Sequence, residues 1–267
     1  MTDMKQEILS ALGPHPWAET LQYHHCLEST NDLAKVLADK GAPEGTVIIA
    51  GQQTRGRGRM GRSFLSPADC GIYLSVILRP QCTADKLMHL TCAAGVAVCS
   101  AVAHATGYRP GIKWINDLVA DGRKLGGILT ELSLAPDGHV RYAVVGIGIN
   151  CHQKPEDFSA ELENIAISLD TVTGKQTDRA NLAAAMVTQL EIMRNSLLTK
   201  KTALMEQYRK DCVTLGRQIT VLQGNQSMSA TAVGLDDDGG LLVRYEDGRC
   251  STVATGEVSV RGLFGYC

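Results

Sequence analysis

The sequence predicts an α+β protein: a mixed, mainly antiparallel sheet flanked by helices, with a small β-barrel after it. Two observations carry this. Strand-like and helix-like segments follow one another in mixed order with hairpin turns between them, unlike the strict alternation of a parallel α/β sheet. After Cys212 the helical segments cease, and four or five short strands fall within about 55 residues, separated by Gly-Asn, Asp-Gly-Gly and Asp-Gly turns. The expected division is therefore 1–212 and 213–267, the second an SH3-like barrel. A chain of 267 residues that is 44% hydrophobic can bury one large core and one small one.

In chain order, Ser29-Thr30-Asn31-Asp32 offers N-capping side chains ahead of Leu33, Val36 and Leu37, which share one helical face, and Gly41-Ala42-Pro43 ends that helix. Thr46 to Ala50 is β-branched and apolar and reads as a buried strand. Ile72 to Leu78 is a second. Ala84 to Ala105, rich in small and apolar residues and free of proline, reads as one buried helix. Strands are expected at Ile112–Ile115, Leu125–Leu132 and Tyr142–Ile149, with turns at Asp121-Gly122 and Pro136-Asp137-Gly138. Residues 151–178 read as loop with a short helix, and Asn181 to about Asp211 as helix.

Lys and Arg total 26 against 28 Asp and Glu, so the formal net charge is −2. A general nucleic-acid binder shows a basic domain, which this chain lacks. The first residues have no signal-peptide layout, and no unbroken apolar run approaches the roughly 18 residues of a membrane span. Nine scattered cysteines without a CxxC pair indicate reduced thiols and a cytoplasmic setting. His24-His25-Cys26 is no metal cluster, because neighbours on a strand point to opposite faces.

Against that neutral background, TRGRGRMGR at 54–62 concentrates Arg55, Arg57, Arg59 and Arg62 among three glycines. Gly56, Gly58 and Gly61 satisfy GxGxxG, but Ser66-Pro67 and another strand follow where a dinucleotide site needs a helix. Two readings remain for the loop alone: an anion-binding segment, or a solvated basic loop. Guanidinium groups donate two parallel hydrogen bonds to phosphate or carboxylate and stay charged at any working pH. At about 4 Å such a pair gains roughly 4 kcal/mol at an effective dielectric near 20. Mutual repulsion in the loop predicts ordering when an anion arrives. Downstream, Lys113 sits between apolar neighbours, where burial needs an opposite charge. Gly126-Gly127 and Gly146-Ile147-Gly148 strip side chains from two expected strands, the mark of a close approach. Together these features predict one pocket for anions.

Ser29-Thr30-Asn31, the stretch Gln53 to Arg62, Lys113-Trp114-Ile115-Asn116-Asp117, the stretch Lys124 to Glu131 and Gly146 to Asn150, in that order and followed by a small β unit, resemble the biotin–protein ligases. The resemblance runs from about residue 22 to the end and implies a class II synthetase-like catalytic domain. It implies that biotin and ATP, with magnesium, give biotinyl-5′-adenylate and pyrophosphate, and that a lysine of a biotin carboxyl carrier domain then displaces AMP. On this resemblance Ser29, Thr30, Asn31, Gln53, Gly126 and Gly127 belong to the biotin site. Arg57, Gly58 and Arg59 lie over the biotin carboxylate and phosphate, with Arg62 near them. Lys113 contacts the carboxylate and α-phosphate, and Lys113, Arg59 and Arg57 carry the catalysis. Trp114, Asn116, Lys124 and Asn150 belong to the adenylate side. No protein metal ligand is assigned.

The family usually has proline where this chain has Ile115. Only about 20 residues precede the matching region, too few for a helix-turn-helix reader, so an enzyme without operator binding is expected. A homodimer through sheet edges and a monomer both stay open. A lipoate–protein ligase and a non-catalytic biotinyl-adenylate sensor are the competing readings.

Overall fold

Alternation along two central strands decides the architecture. In a computed structural model that describes residues 3–223, 226–254 and 258–262, β3 (Gly71–Leu78) and β7 (Val140–Asn150) pair antiparallel over their lengths. Ile72, Leu74, Val76, Ala143, Val145, Ile147 and Ile149 face one side and enter the main core. Ile77 and Val144 face the other and pack against α2 (Thr30–Asp39) through Ala34 and Ala38. The period of two thus feeds two helical layers.

The full sheet has seven strands in the order β1-β2-β3-β7-β6-β5-β4, with β1 (Leu21–Leu27), β2 (Val47–Gln53), β4 (Gly111–Lys113), β5 (Asp117–Ala120) and β6 (Arg123–Leu134) as the others. Only β1 and β2 run parallel, joined through α2; every other pairing is antiparallel, as expected. The main core lies beneath α3 (Leu90–Thr106), α5 (Arg179–Ser196) and α6 (Lys201–Asp211). The stretch Ala84–Thr106 is apolar and long enough to cross a bilayer by composition, but most of it is buried inside the protein.

Several boundaries differ from the sequence expectation. The helix over 84–105 is a short 3-10 turn at Ala84–Leu87 followed by α3, and the expected 181–211 helix breaks between Leu197 and Lys200 into α5 and α6. The helix α1 (Met4–Leu12) and the strands β1 and β5 are additional. Strand β5 turns into β6 through Asp121-Gly122, both at positive φ, which is the expected hairpin. The short helix expected within 151–178 is α4 (Leu169–Thr173). The peptide bond between Trp114 and Ile115 is cis.

After Cys212, β8 (Gln218–Gln223), β9 (Gln226–Leu235), β10 (Leu241–Tyr245), β11 (Cys250–Val253) and β12 (Val258–Gly262) form an antiparallel sheet in the order β11-β10-β9-β8-β12. Leu235, Leu241 and Val243 join its apolar side to the main core. The single strand expected over 250–260 is β11 and β12. The Gly224-Asn225 turn, residues 255–257 and Cys267 lie outside the described residues. The turn from Asp236 to Gly240 reaches back to α6: Arg209 Nη2 pairs with Asp237 at 2.6 Å, and Lys201 Nζ pairs with Asp238 at 2.5 Å.

Candidate active site

Where three rows of side chains cross β3, β7 and β6, the middle of the face toward α2 is almost bare. Ser75, Gly146 and Leu129 stand opposite one another in register, beside Tyr73, Gly148 and Gly127. The glycines are required there. A Cβ on Gly146 would lie 1.8 Å from Asn31 Oδ1, and one on Gly148 would lie 2.5 Å from the Phe64 ring. The space left is a cavity of about 680 Å³, within the range of small-molecule sites.

The floor comes from the start of α2. Ser29 caps that helix, accepting a hydrogen bond from Asp32 N, and this brings Thr30 and Asn31 over the sheet. Gln53 Oε1, at the end of β2, accepts from Thr30 N at 2.9 Å and from Thr30 Oγ1 at 3.0 Å. Ser75 Oγ lies 2.6 Å from Asn31 Oδ1 and 2.8 Å from Thr30 Oγ1, and Asn31 Nδ2 donates to Glu131 Oε2 at 2.9 Å. Ser29, Thr30, Asn31 and Ser75 are all buried.

The arginine loop folds over this floor as a small hairpin. Gly58 N donates to Arg62 O, Phe64 N donates to Gly56 O, and the tip at Met60-Gly61 has positive φ. Three of its arginines, Arg55, Arg57 and Arg59, have partners within the chain. Arg55 pairs with Glu28 at 3.2 Å; Arg57 Nη1 pairs with Asp32 at 2.6 Å and Glu131 at 3.2 Å; Arg59 Nη1 donates to Asn116 Oδ1 at 3.0 Å. Burial lowers the pKa of Arg59, partly offset by the charge of Asp117 and reinforced by Arg62. A partly desolvated guanidinium beside a second one is a strong place for an anion.

The remaining wall is the end of β4 and the turn into β5. Lys113 is buried at the cavity, and Asn116 Nδ2 donates to Ile128 O at 2.9 Å, which aims its Oδ1 at Arg59. Lys124 Nζ pairs with Asp117 at 2.6 Å. Trp114 is fixed from behind: its N donates to Thr214 Oγ1 and its Nε1 to Gly239 O, both at 2.9 Å, while Tyr208 donates to Ile115 O.

Of the residues expected in the site, Ser29, Thr30, Asn31, Gln53, Arg57, Gly58, Arg59, Arg62, Lys113, Trp114, Asn116, Lys124 and Gly127 line this cavity. Two expectations are corrected. Asn150 continues the β7 face beyond Gly148, but its Nδ2 donates to Ile167 O and its Oδ1 accepts from Gln153, so its side chain is spent on the 151–168 loop rather than on the cavity. Gly126 has the opposite parity to Gly127; it pairs with Ile149, and a Cβ there would meet Gly148 O at 2.4 Å. Lining residues missed by the sequence reading include Phe64, Asp117, Leu129, Asn164 and Ile165. The last two form a rim because Lys124 N donates to Ile165 O at 2.6 Å. No local motif announces that contact.

Residues 23–150 match the Biotin/lipoate A/B protein ligase family, and residues 214–261 match the biotin protein ligase C-terminal domain. The chain is 36% identical over 245 residues to the bifunctional ligase/repressor BirA of Bacillus subtilis, covering 91% of this chain and 75% of that one. This chain belongs to the biotin protein ligase family. The ligase is also 34% identical to the biotin–[acetyl-CoA-carboxylase] ligase of Mycobacterium tuberculosis, across 86% of this chain and 85% of the relative. Its fold matches the Aquifex aeolicus biotin protein ligase solved with biotin and ATP, at a TM-score of 0.76 and 29% identity over 91% and 98% of the two chains.

Proposed function

We propose that this ligase joins biotin to ATP as biotinyl-5′-adenylate and then passes the biotinyl group to a lysine of a biotin carboxyl carrier domain. The observation that supports it most is one cavity with a neutral, hydrogen-bonded floor at one end and Lys113, Arg59 and Arg62 at the other. A neutral polar floor suits the ring of biotin; the cationic end suits a carboxylate meeting a triphosphate.

In the first step a biotin carboxylate oxygen bonds to the α-phosphorus while the bond from that phosphorus to the bridging oxygen breaks and pyrophosphate leaves. Both reactants are anions, so positioned cations lower the barrier without a nucleophilic side chain. Lys113 and Arg59 take that place in the proposal. Arg57 Nη1, engaged by Asp32 and Glu131, acts through the seating of the loop. Trp114, Asn116 and Lys124 form the nucleotide end. In the second step the lysine amine attacks the acyl carbon, loses a proton and displaces AMP; the loop keeps water from the anhydride until then.

Among the described residues no three His, Cys, Asp or Glu side chains converge as a metal set, and Asp117 is engaged by Lys124. A magnesium ion arriving with ATP would offset part of the triphosphate charge beside Lys113 and Arg59. We divide the chain into a catalytic unit, 1–212, and a C-terminal unit, 213–267, acting in the cytoplasm. Sedimentation velocity separates a homodimer through sheet edges from a monomer, both of which fit the family resemblance.

Purified protein incubated with ATP, magnesium, labelled biotin and a carrier domain should release pyrophosphate and label the carrier. Adenylate without carrier labelling would point to a sensor. Labelling with lipoate and not biotin would replace the substrate.

A further inference from the structure

Glu131 does not line the cavity, yet the floor and the arginine loop meet at its carboxylate. Oε2 accepts from Asn31 Nδ2 at 2.9 Å, and Oε1 accepts from Lys35 Nζ at 2.9 Å. Arg57 Nη1 lies 3.2 Å from Oε1 and 3.4 Å from Oε2. The four groups come from three separate places: Asn31 and Lys35 from α2, Glu131 from β6, and Arg57 from the loop. No other contact described above joins a floor side chain directly to a loop arginine through one side chain.

We propose that Glu131 is a positioning residue that latches the arginine loop to the cavity floor, so that the orientation of the Asn31 amide and the seating of the loop depend on each other. Asn31 has little freedom. Its oxygen lies against Ser75 and its nitrogen donates to Glu131 and Leu129 O. Asn31 is thus two hydrogen bonds from Arg57, and networks of this kind transmit orientation because each member is already committed. The plain alternative makes Glu131 a counter-ion for Lys35. Asp32 already serves that need, with an oxygen 2.9 Å from Lys35 Nζ. Asp32 also touches Arg57, but it is half exposed and no hydrogen bond is seen among the described residues from its carboxylate to the floor, whereas the Glu131 carboxylate is 23% exposed and touches both. Burial pushes the Glu131 carboxyl up, but the hydrogen bonds from Asn31 and Lys35 and the charges of Lys35 and Arg57 outweigh it and hold the group ionised.

The inference rests on the biotin-ligase reading only for what the latch retains; the latch itself can be measured without a ligand. Trypsin cuts after arginine, so cleavage within residues 54–62 of the folded full-length chain, followed by mass spectrometry, reports loop opening. Glu131→Gln keeps the shape and removes the charge that faces Arg57. We expect about fivefold faster loop cleavage, as for loss of a partly exposed ion pair that gates local opening. Cleavage after Arg59 in the Arg57→Ala, Glu131→Gln double variant should be no faster than in Arg57→Ala alone, since Arg57→Ala already removes the contact with Glu131 along with that to Asp32. Should the glutamine variant fail to fold, Glu131→Asp keeps the charge and withdraws it, and a two- to threefold increase is expected. With biotin, ATP and magnesium, the variant should lose its adenylate to solvent faster than the parent.

Parent-like cleavage in the folded variants, or effects of the two substitutions that multiply, would overturn the latch. If loop cleavage rises as stated while neither protein forms an adenylate, the latch stands and the biotin reading falls. If adenylate forms normally and cleavage does not change, the reverse holds.

Discussion

The floor of the cavity and the loop above it use different forces. On the floor, Ser29, Thr30, Asn31 and Ser75 are at most 4% exposed, and the floor's hydrogen bonds are mostly between neutral groups of fixed orientation. In the loop, the contacts of Arg55 and Arg57 run between full charges, but their side chains are 76% and 39% exposed. Buried neutral bonds are costly to leave unmade, about 1–3 kcal/mol each, while exposed ion pairs contribute about 0–1 kcal/mol. The floor is therefore suited to choosing a ligand by shape. The loop is suited to letting one in and out.

The largest expected break falls on the floor. Gly146→Ala would drive a methyl group into Asn31 Oδ1, whose partners leave it nowhere to go. We expect biotin affinity, measured by calorimetry, to fall by about 1–3 kcal/mol, the cost typical of overpacking a filled site. Ser75→Ala is next. It strips Asn31 Oδ1 and Thr30 Oγ1 of their shared neighbour, and a loss of about 1–2 kcal/mol in biotin binding is expected, with the nucleotide affinity barely changed. An equal loss for both ligands would erase the distinction drawn between floor and loop.

Loop substitutions should act on rates instead. Arg59→Gly removes the contact with Asn116 and one of the cations at the reacting end, and the adenylate should escape about tenfold faster in a rapid-dilution assay. The smallest effect concerns acid. Burial raises both Asp32 and Glu131, but the hydrogen bonds and charges of Lys35 and Arg57, with Asn31 for Glu131, outweigh it and leave both carboxyls below their ordinary values of 3.8 and 4.5. Groups depressed on folding stabilise the fold fully above the ordinary value and lose that contribution as pH falls through the lowered one. The parent and Glu131→Gln should keep a constant difference in melting temperature from pH 8 to about pH 5. That difference should shrink below about pH 4.5. A difference that changes near neutrality would assign the effect to another group.

Much of the site was legible because its chemistry sits in contiguous stretches. The capping run at Ser29, the arginine-glycine loop, Lys113 and the strand glycines each break a local pattern, and Ser29, Arg57, Arg59, Lys113, Gly127, Gly146 and Gly148 line the cavity. What stayed hidden depends on register between distant segments. Ser75 looks like an accident in an apolar strand until β3 is paired with β7, which sets it beside Gly146 and under Asn31. Glu131 closes a recognisable motif, but its link to Arg57 spans 74 positions. Gly126 and Gly127 look equivalent in sequence, and only strand parity separates the one that lines the cavity. Asn150 ends a run whose glycines do line it, yet one further pair of residues carries it to the 151–168 loop. The break between α5 and α6 has no proline or glycine to mark it, and β5 is four residues long, too short for a periodic signal.

The indole of Trp114 rests on the main-chain oxygen of Gly239, supplied by the C-terminal sheet. An acceptor of that kind has no side chain to mutate, so a scan that replaces residues one at a time with alanine would miss it everywhere except at Gly239. There φ is +89°, and an added methyl would fall 2.7 Å from Cys92 Sγ. Side chains of the small sheet can thus change over much of its surface without touching this contact. Grafting that sheet from a relative would test position rather than composition.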